Sequence, residues 1–170
     1  MWKVAAALLL VFSGLAAGRT VQTSYELRTR HLQELKRAIA LLVTDVSCTR
    51  ASLPVAFRRT SVLVQEPVAL FLRECAGLME SAARDARSAW LTACERCLRS
   101  LCFGPREREA LCQISAALGL ASLEEQVKHL EYARRRVEQL EELALQDQHR
   151  ARLWAYGGFA VGAVVCLVLV

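Results

Sequence analysis

Cysteine is the residue type in this sequence whose number and spacing could support chemistry. There are seven cysteines, and Cys94 and Cys97 form a Cys-x-x-Cys pair. Such a pair can act as a redox couple or as half of a zinc site. A redox pair of the thioredoxin kind lies near a βαβ pattern, whereas this pair lies inside a predicted helix with no strand predicted nearby. A zinc site needs two more ligands, and the nearest candidates, Cys102 and Cys112, have the wrong spacing for a second Cys-x-x-Cys.

The same two cysteines also fit the apolar face of a helix. Residues 85–102 predict a helix on which Trp90 and Leu101 share one face with Cys94 and Cys97. Free cysteine behaves as a small apolar residue, so we favour core cysteines. The alternative is a membrane-bound redox or metal-binding protein that uses Cys94, Cys97, Cys102 and Cys112.

Other signs of catalysis are missing from the sequence. It contains no Gly-rich phosphate loop, no GxSxG, no HExxH and no dinucleotide fingerprint. His31, His129 and His149 are scattered on predicted helices, where histidine is usually a surface or boundary residue. We therefore predict no enzyme activity, no cofactor and no metal. The sequence has no basic stripe interleaved with aromatic residues, so we also predict no nucleic-acid partner.

A charged run occupies residues 131–142, EYARRRVEQLEE. Its spacing predicts i,i+4 ion pairs between Glu131 and Arg135 and between Arg134 and Glu138. The simplest interpretation is a solvated helix face, and the functional alternative is a docking surface for an acidic or mixed-charge partner. The candidate partner-binding residues are Arg134, Arg135, Arg136, Glu138, Glu141 and Glu142.

Helical periodicity predicts the elements that would position these residues. One apolar stripe runs through residues 25–48, and a second runs through the helix that follows Ser122, where Ser122 and Glu125 match a capping box. Pro54, Pro67 and Pro105 each predict a helix start, and Gly119 predicts a helix end. The last helix has no proline or glycine before residue 157 and is expected to continue into the C-terminal segment. We predict an all-α bundle of about six helices with no strand.

The two ends of the chain are the most apolar parts of the sequence. Residues 153–170 carry no charge and, at 1.5 Å per helical residue, reach roughly 27 Å, close to the thickness of a bilayer's hydrocarbon core. Residues 1–18 form a shorter apolar segment that contains Lys3. We predict transmembrane segments at 1–18 and 153–170 and a helical domain at 19–152.

Basic residues predict the orientation of that domain. Arg19, Arg28 and Arg30 follow the first segment, and Arg150 and Arg152 precede the second. The positive-inside rule therefore places the domain in the cytoplasm. Residues 1–18 could instead be a cleaved signal peptide, which would place the domain outside, against both charge asymmetries.

The whole layout resembles the stage III sporulation protein AB family of spore-forming bacteria. The resemblance includes the helix LQELKRAIALL at 32–42, the segment SLPVAFRRTSVLVQEPVALFL at 52–72, and Ala89-Trp90. It also includes the Leu118-Gly119 stop, the helix QVKHLEYARRRVEQLEE at 126–142, and a membrane segment at each end.

This resemblance implies a non-enzymatic platform in the export channel between mother cell and forespore. It implies a six-helix domain similar to the cytoplasmic domain of inner-membrane platform proteins in type II secretion and type IV pilus machines. The implied partners are the channel's ATPase subunit and its other membrane subunits. The apolar ends themselves predict the lipid bilayer as a further partner, and a homo-oligomer is an additional possibility. The implied location is the mother-cell membrane around the forespore, with the domain facing the cytoplasm.

Overall fold

The computed structural model describes the backbone of residues 2–81, 85–118 and 123–169. The side chains of residues 2–18, 20, 21, 116, 117, 123 and 154–169 are not described. Within the described residues there are six α-helices and no strand, which confirms the predicted all-α class and the number of helices. The helices are α1 Trp2–Thr49, α2 Leu53–Leu63, α3 Val68–Ser81, α4 Ala86–Leu101, α5 Pro105–Ala117 and α6 Leu123–Leu169.

Proline marks three of the helix starts within one residue of the predicted positions. Pro105 is the first residue of α5, and Pro54 is the second residue of α2, after Ser52. Pro67 directly precedes α3, and its carbonyl accepts a hydrogen bond from the backbone of Phe71 at 3.2 Å. These positions suit proline because the first N–H groups of a helix have no partner inside the helix.

The first helix is longer than the apolar stripe that predicted it. The sequence indicated a helix over residues 25–48 and a separate apolar segment before it, whereas α1 is continuous from Trp2 to Thr49. No proline lies in this range, so nothing in the sequence forces a break. The last helix likewise continues through residue 169, as predicted.

Among the described residues, no helix has a stretch long and apolar enough to span a bilayer. The side chains of residues 1–18 and 154–170 lie outside that part of the chain. The two transmembrane segments at 1–18 and 153–170 therefore stay predictions. Gly119 and Ser122, the predicted stop and cap, also lie outside the described residues.

The chain forms two compact units. The terminal unit consists of Met1–Leu27 and Leu143–Val170, and the central unit consists of Arg28–Glu142. The central unit therefore contains the later part of α1, the whole of α2 to α5, and the first part of α6.

An aromatic cluster forms the centre of the central unit. Trp90 of α4 packs edge-on against Phe71 of α3, with ring centroids 4.7 Å apart. It also packs against Phe57 of α2, with ring planes tilted by 39° and centroids 6.0 Å apart. All three side chains are buried. The indole Nε1–H of Trp90 donates to the carbonyl of Leu111 in α5 at 2.9 Å, which satisfies its one polar atom. One tryptophan thus connects four helices.

The two predicted apolar stripes are also buried. On α1 the buried residues of the stripe are Leu32, Leu35, Ile39, Leu42 and Val46. On α6 the buried ones in the central unit are Leu130, Ala133, Val137 and Leu140, and Val127 of the same stripe is half-buried. Their helical spacing places each set on one face, so the opposite face of each helix remains exposed. This confirms the periodicity argument for both helices.

Polar contacts fix the helices of the central unit in register. Glu107 of α5 is almost completely buried and accepts from both the Nε (3.1 Å) and the Nη2 (2.5 Å) of Arg28 on α1. It also accepts from the backbone N–H of Gly104 at 2.8 Å. The buried His31 donates from Nδ1 to the carbonyl of Leu101, the last residue of α4, at 2.7 Å. We predicted a surface or boundary position for His31, and the structure instead buries it as a cap for α4.

Candidate docking surface

The cysteine pair at 94 and 97 belongs to the apolar core. Cys94 and Cys97 are buried on α4, and Cys75 is buried on α3. The core interpretation of the Cys-x-x-Cys pair is therefore confirmed. The other two members of the alternative set, Cys102 and Cys112, are exposed.

Burial also changes the acidity of these thiols. It raises the pKa of Cys94 to about 12 and raises the pKa of Cys75 well above its usual value. Burial also raises the pKa of Cys97. A thiol that keeps its proton at neutral pH is a weak nucleophile. Within the part of the chain that the structure describes, no three His, Cys, Asp or Glu side chains lie where they could share a metal ion.

The six predicted partner-binding residues lie on α6 and do not all face solvent. Arg135, Glu138 and Glu142 are exposed, and Arg134 and Arg136 are half-buried. Glu141 is 8% exposed, and its Oε2 pairs with Nζ of Lys36 on α1 at 2.5 Å. Glu141 therefore holds α6 to α1 and is not available for a partner in this structure, whereas the other five surround one accessible helix face.

Local ion pairing on this face differs from the predicted pattern. Glu131 pairs with Arg134, three residues later, at 3.6 Å, where the sequence suggested Arg135. Arg136 donates to the side-chain oxygen of Gln139 at 3.2 Å. An exposed i,i+3 pair at this distance contributes a few tenths of a kcal/mol. These contacts leave Arg135 exposed for other interactions.

Tyr132 is a prominent residue of this face that the sequence analysis missed. Its side chain is 64% exposed, although tyrosine is usually at least half-buried in a folded protein. Tyrosine and arginine are enriched among the residues that carry most of the binding energy in protein interfaces. The exposure of Tyr132 could have been predicted from the sequence, because Tyr132 lies outside the apolar stripe of Leu130, Ala133 and Val137. We call the exposed part of α6 from Lys128 to Glu142 the α6 surface.

Comparison with known proteins assigns the family. A family model described as stage III sporulation protein AB matches residues 3–170. The chain belongs to the stage III sporulation protein AB family. The resemblance noted in the sequence is thereby confirmed, and this member of the family is a sporulation protein.

Two individual comparisons agree with this assignment. The chain is 23% identical over 170 residues to stage III sporulation protein AB of Bacillus subtilis (strain 168), and the match covers 99% of each protein. It is also similar to a solved structure of stage III sporulation protein AB, with a TM-score of 0.68 and 22% identity. That match covers 73% of this chain and 98% of the solved chain, so the two share their fold.

A second exposed surface of this family member lies on α2 and α3. Val62 is 84% exposed, and Val55, seven residues earlier, lies on the same face of α2. Leu63 and Leu70 are exposed nearby along the chain. Apolar residues occur on both faces of this 11-residue helix. This pattern predicts that one apolar face of α2 stays exposed, which the search for a single apolar stripe did not detect.

Proposed function

We propose that this family member is a non-enzymatic, membrane-anchored platform of the export channel between mother cell and forespore. Its helical domain docks the channel's ATPase subunit and other membrane subunits, and its terminal segments hold it in the mother-cell membrane. The observation that carries this proposal is the family match over residues 3–170, which includes the helical domain and both apolar ends.

The accessible part of the central unit supports a binding role. The α6 surface presents tyrosine, arginine and glutamate side chains on a helix whose opposite face is buried. The Lys36–Glu141 and Arg28–Glu107 pairs connect α1 with α6 and α5, so this surface is held on a fixed scaffold. A preformed surface lowers the entropy that is lost on binding.

A direct binding measurement tests the platform role. Full-length protein reconstituted in lipid nanodiscs is titrated with the purified ATPase subunit and, separately, with each purified membrane subunit of the channel. The proposal expects saturable binding to the ATPase subunit. If neither the ATPase nor any other channel subunit bound, the platform role would be wrong.

A labelling experiment tests the cytoplasmic orientation. Gln139→Cys is introduced on the exposed face of α6, in a background where Cys48, Cys102, Cys112 and Cys166 are replaced by serine. The remaining cysteines, at 75, 94 and 97, are buried. The same background without Gln139→Cys is the matched control. In non-sporulating cells that produce the variant, a membrane-impermeant maleimide is expected to label it only after cell lysis, whereas labelling of intact cells would place the domain on the other side of the membrane.

A further inference from the structure

Tyr132 lies at the centre of a small basic cluster on the α6 surface. The residues four and three positions before it are Lys128 and His129, and those three and four positions after it are Arg135 and Arg136. On a helix, residues at these four positions are the nearest neighbours of the central side chain, about 5–6 Å away between Cβ atoms. We call these five residues the Tyr132 patch.

The patch is accessible and positively charged. Tyr132, Lys128, His129 and Arg135 are exposed, and Arg136 is half-buried. Three of the four neighbours carry a full positive charge, and none is acidic. The adjacent Glu131 is paired with Arg134, so its carboxylate is already partly neutralised. The cluster therefore attracts a negatively charged group to the edge of an exposed aromatic ring.

We propose that the Tyr132 patch binds an acidic segment of a partner protein, with two or three carboxylates placed around an apolar side chain. This inference rests on the proposed function, because the partner is a subunit that docks on the platform. Tyr132 provides apolar contact area, Arg135 and Arg136 pair with carboxylates, and Lys128 adds a charge on the other side of the ring.

The length of the patch favours a protein segment over a longer polyanion. Residues 128–136 rise only about 12 Å along the helix axis. Glu124 and Glu125 are exposed before the patch, and Glu138 and Glu142 are exposed after it. A nucleic acid or an anionic membrane surface would extend over these carboxylates and be repelled, whereas a short acidic segment fits between them.

Variants of the patch provide the test. Full-length protein in nanodiscs is titrated with the purified ATPase subunit and the purified membrane subunits for wild type, for Tyr132→Ala, and for Arg135→Glu combined with Arg136→Glu. The control is Arg87→Glu combined with Arg106→Glu, which makes the same charge change at two exposed residues in the first turns of α4 and α5. Thermal unfolding midpoints within about 2 °C of wild type establish that each variant is folded.

The proposal expects both patch variants to bind at least about tenfold more weakly to one of these subunits, and the control to bind within about twofold of wild type. Raising the salt concentration is expected to weaken wild-type binding and to have a smaller effect on the double arginine variant. If wild type bound but the patch variants bound equally well, the Tyr132 patch would not be the docking site, while the platform role would stand. If wild type bound no subunit, both proposals would be wrong.

Two further probes separate this partner from other polyanions. The same variants are tested with phosphatidylglycerol vesicles and with single-stranded RNA. The expected result is that wild type and the patch variants do not differ in binding to either probe. A patch-dependent loss of binding to vesicles or RNA, with subunit binding unchanged, would overturn the proposal.

Discussion

Glu107 shows how one buried carboxylate can connect distant parts of this chain. It is 1% exposed and accepts hydrogen bonds from Arg28, 79 positions earlier, and from the backbone of Gly104. The contact with Arg28 joins α5 to α1, and the contact with Gly104 satisfies a backbone N–H at the start of α5. A buried charge of this kind is tolerated because its partners compensate for the lost hydration.

Replacing this carboxylate should strongly destabilise the fold. Glu107→Ala removes the acceptor used by Arg28 and by the N–H of Gly104, which we expect to cost about 3 kcal/mol. For a protein of this size, that cost corresponds to a fall of roughly 6–12 °C in the thermal unfolding midpoint. Glu109→Ala, at an exposed position in the same helix, is the control and should shift the midpoint by less than about 2 °C. Equal shifts for the two variants would contradict the assigned role of Glu107.

Cys102 occupies a backbone conformation that suits glycine. It follows the last residue of α4 with φ = 54°, in the left-handed region. This conformation costs roughly 1 kcal/mol for cysteine, whereas glycine adopts it without strain. We expect Cys102→Gly to raise the free energy of unfolding by about 0.5 kcal/mol. The same substitution at the exposed Cys112, inside α5, should lower it, and urea unfolding of both variants would reveal these opposite signs.

The buried thiols make stability depend on alkaline pH. The pKa of Cys94 is about 12 in the folded protein and near 9 when the chain is unfolded. Above pH 9 the unfolded state loses this proton first, so the free energy of unfolding falls as pH rises from about 9 towards 12. Between pH 8 and pH 10, Cys94 alone contributes a fall on the order of 1 kcal/mol. Urea unfolding at both pH values should show a smaller fall for Cys94→Ala than for wild type, whereas the exposed Cys48→Ala should behave like wild type.

At the scale of helices, local signals in the sequence predicted most of the boundaries. The prolines at 54, 67 and 105 act through their own backbone geometry, so their effect can be recognised without any knowledge of tertiary contacts. The continuous α1 was not predicted, because residues 2–24 lack the apolar–polar alternation that identified the rest of that helix. A mainly apolar helix has no face that periodicity can detect.

Two glycines provide opposite tests of helix packing. A Cβ at Gly77, inside α3, would meet nothing within 4 Å, so Gly77→Ala should stabilise the protein by about 0.5–1 kcal/mol through lower backbone entropy in the unfolded chain. A Cβ at Gly104 would lie 3.0 Å from Oε2 of Glu107 and would disturb the contacts of that carboxylate. Gly104→Ala should therefore destabilise the protein. Thermal unfolding of the two variants should give midpoints on opposite sides of wild type, and a shared sign would contradict this account.

At the scale of the whole molecule, the sequence predicted the class of protein better than its surface. The α6 surface was predicted as a charged run, but the burial of Glu141 depends on Lys36, 105 positions away. The exposure of Tyr132 likewise depends on which stripe of α6 the other helices cover. Contacts between residues so far apart in the sequence leave no local pattern. The sequence therefore predicted which helix carries the candidate binding residues, but not which of them are buried and which are accessible.

The division into two compact units predicts that the central unit folds without the ends of the chain. Residues 28–142 contain the Trp90 cluster and two ion pairs, Arg28–Glu107 and Lys36–Glu141, in each of which a buried carboxylate meets a half-buried cation. A fragment of about this length can bury a core large enough for cooperative folding. We expect residues 28–142, expressed alone, to be helical by circular dichroism and to unfold in one cooperative transition.

Two variants make this test specific to the described core. Glu107→Ala should lower the free energy of unfolding of the fragment by about as much as it does in the full-length protein, because Arg28 and Gly104 are both present. Gly77→Ala should raise it in both. A fragment that was unfolded, or that melted without cooperativity, would show that the central core requires residues 1–27 or 143–170 for its stability.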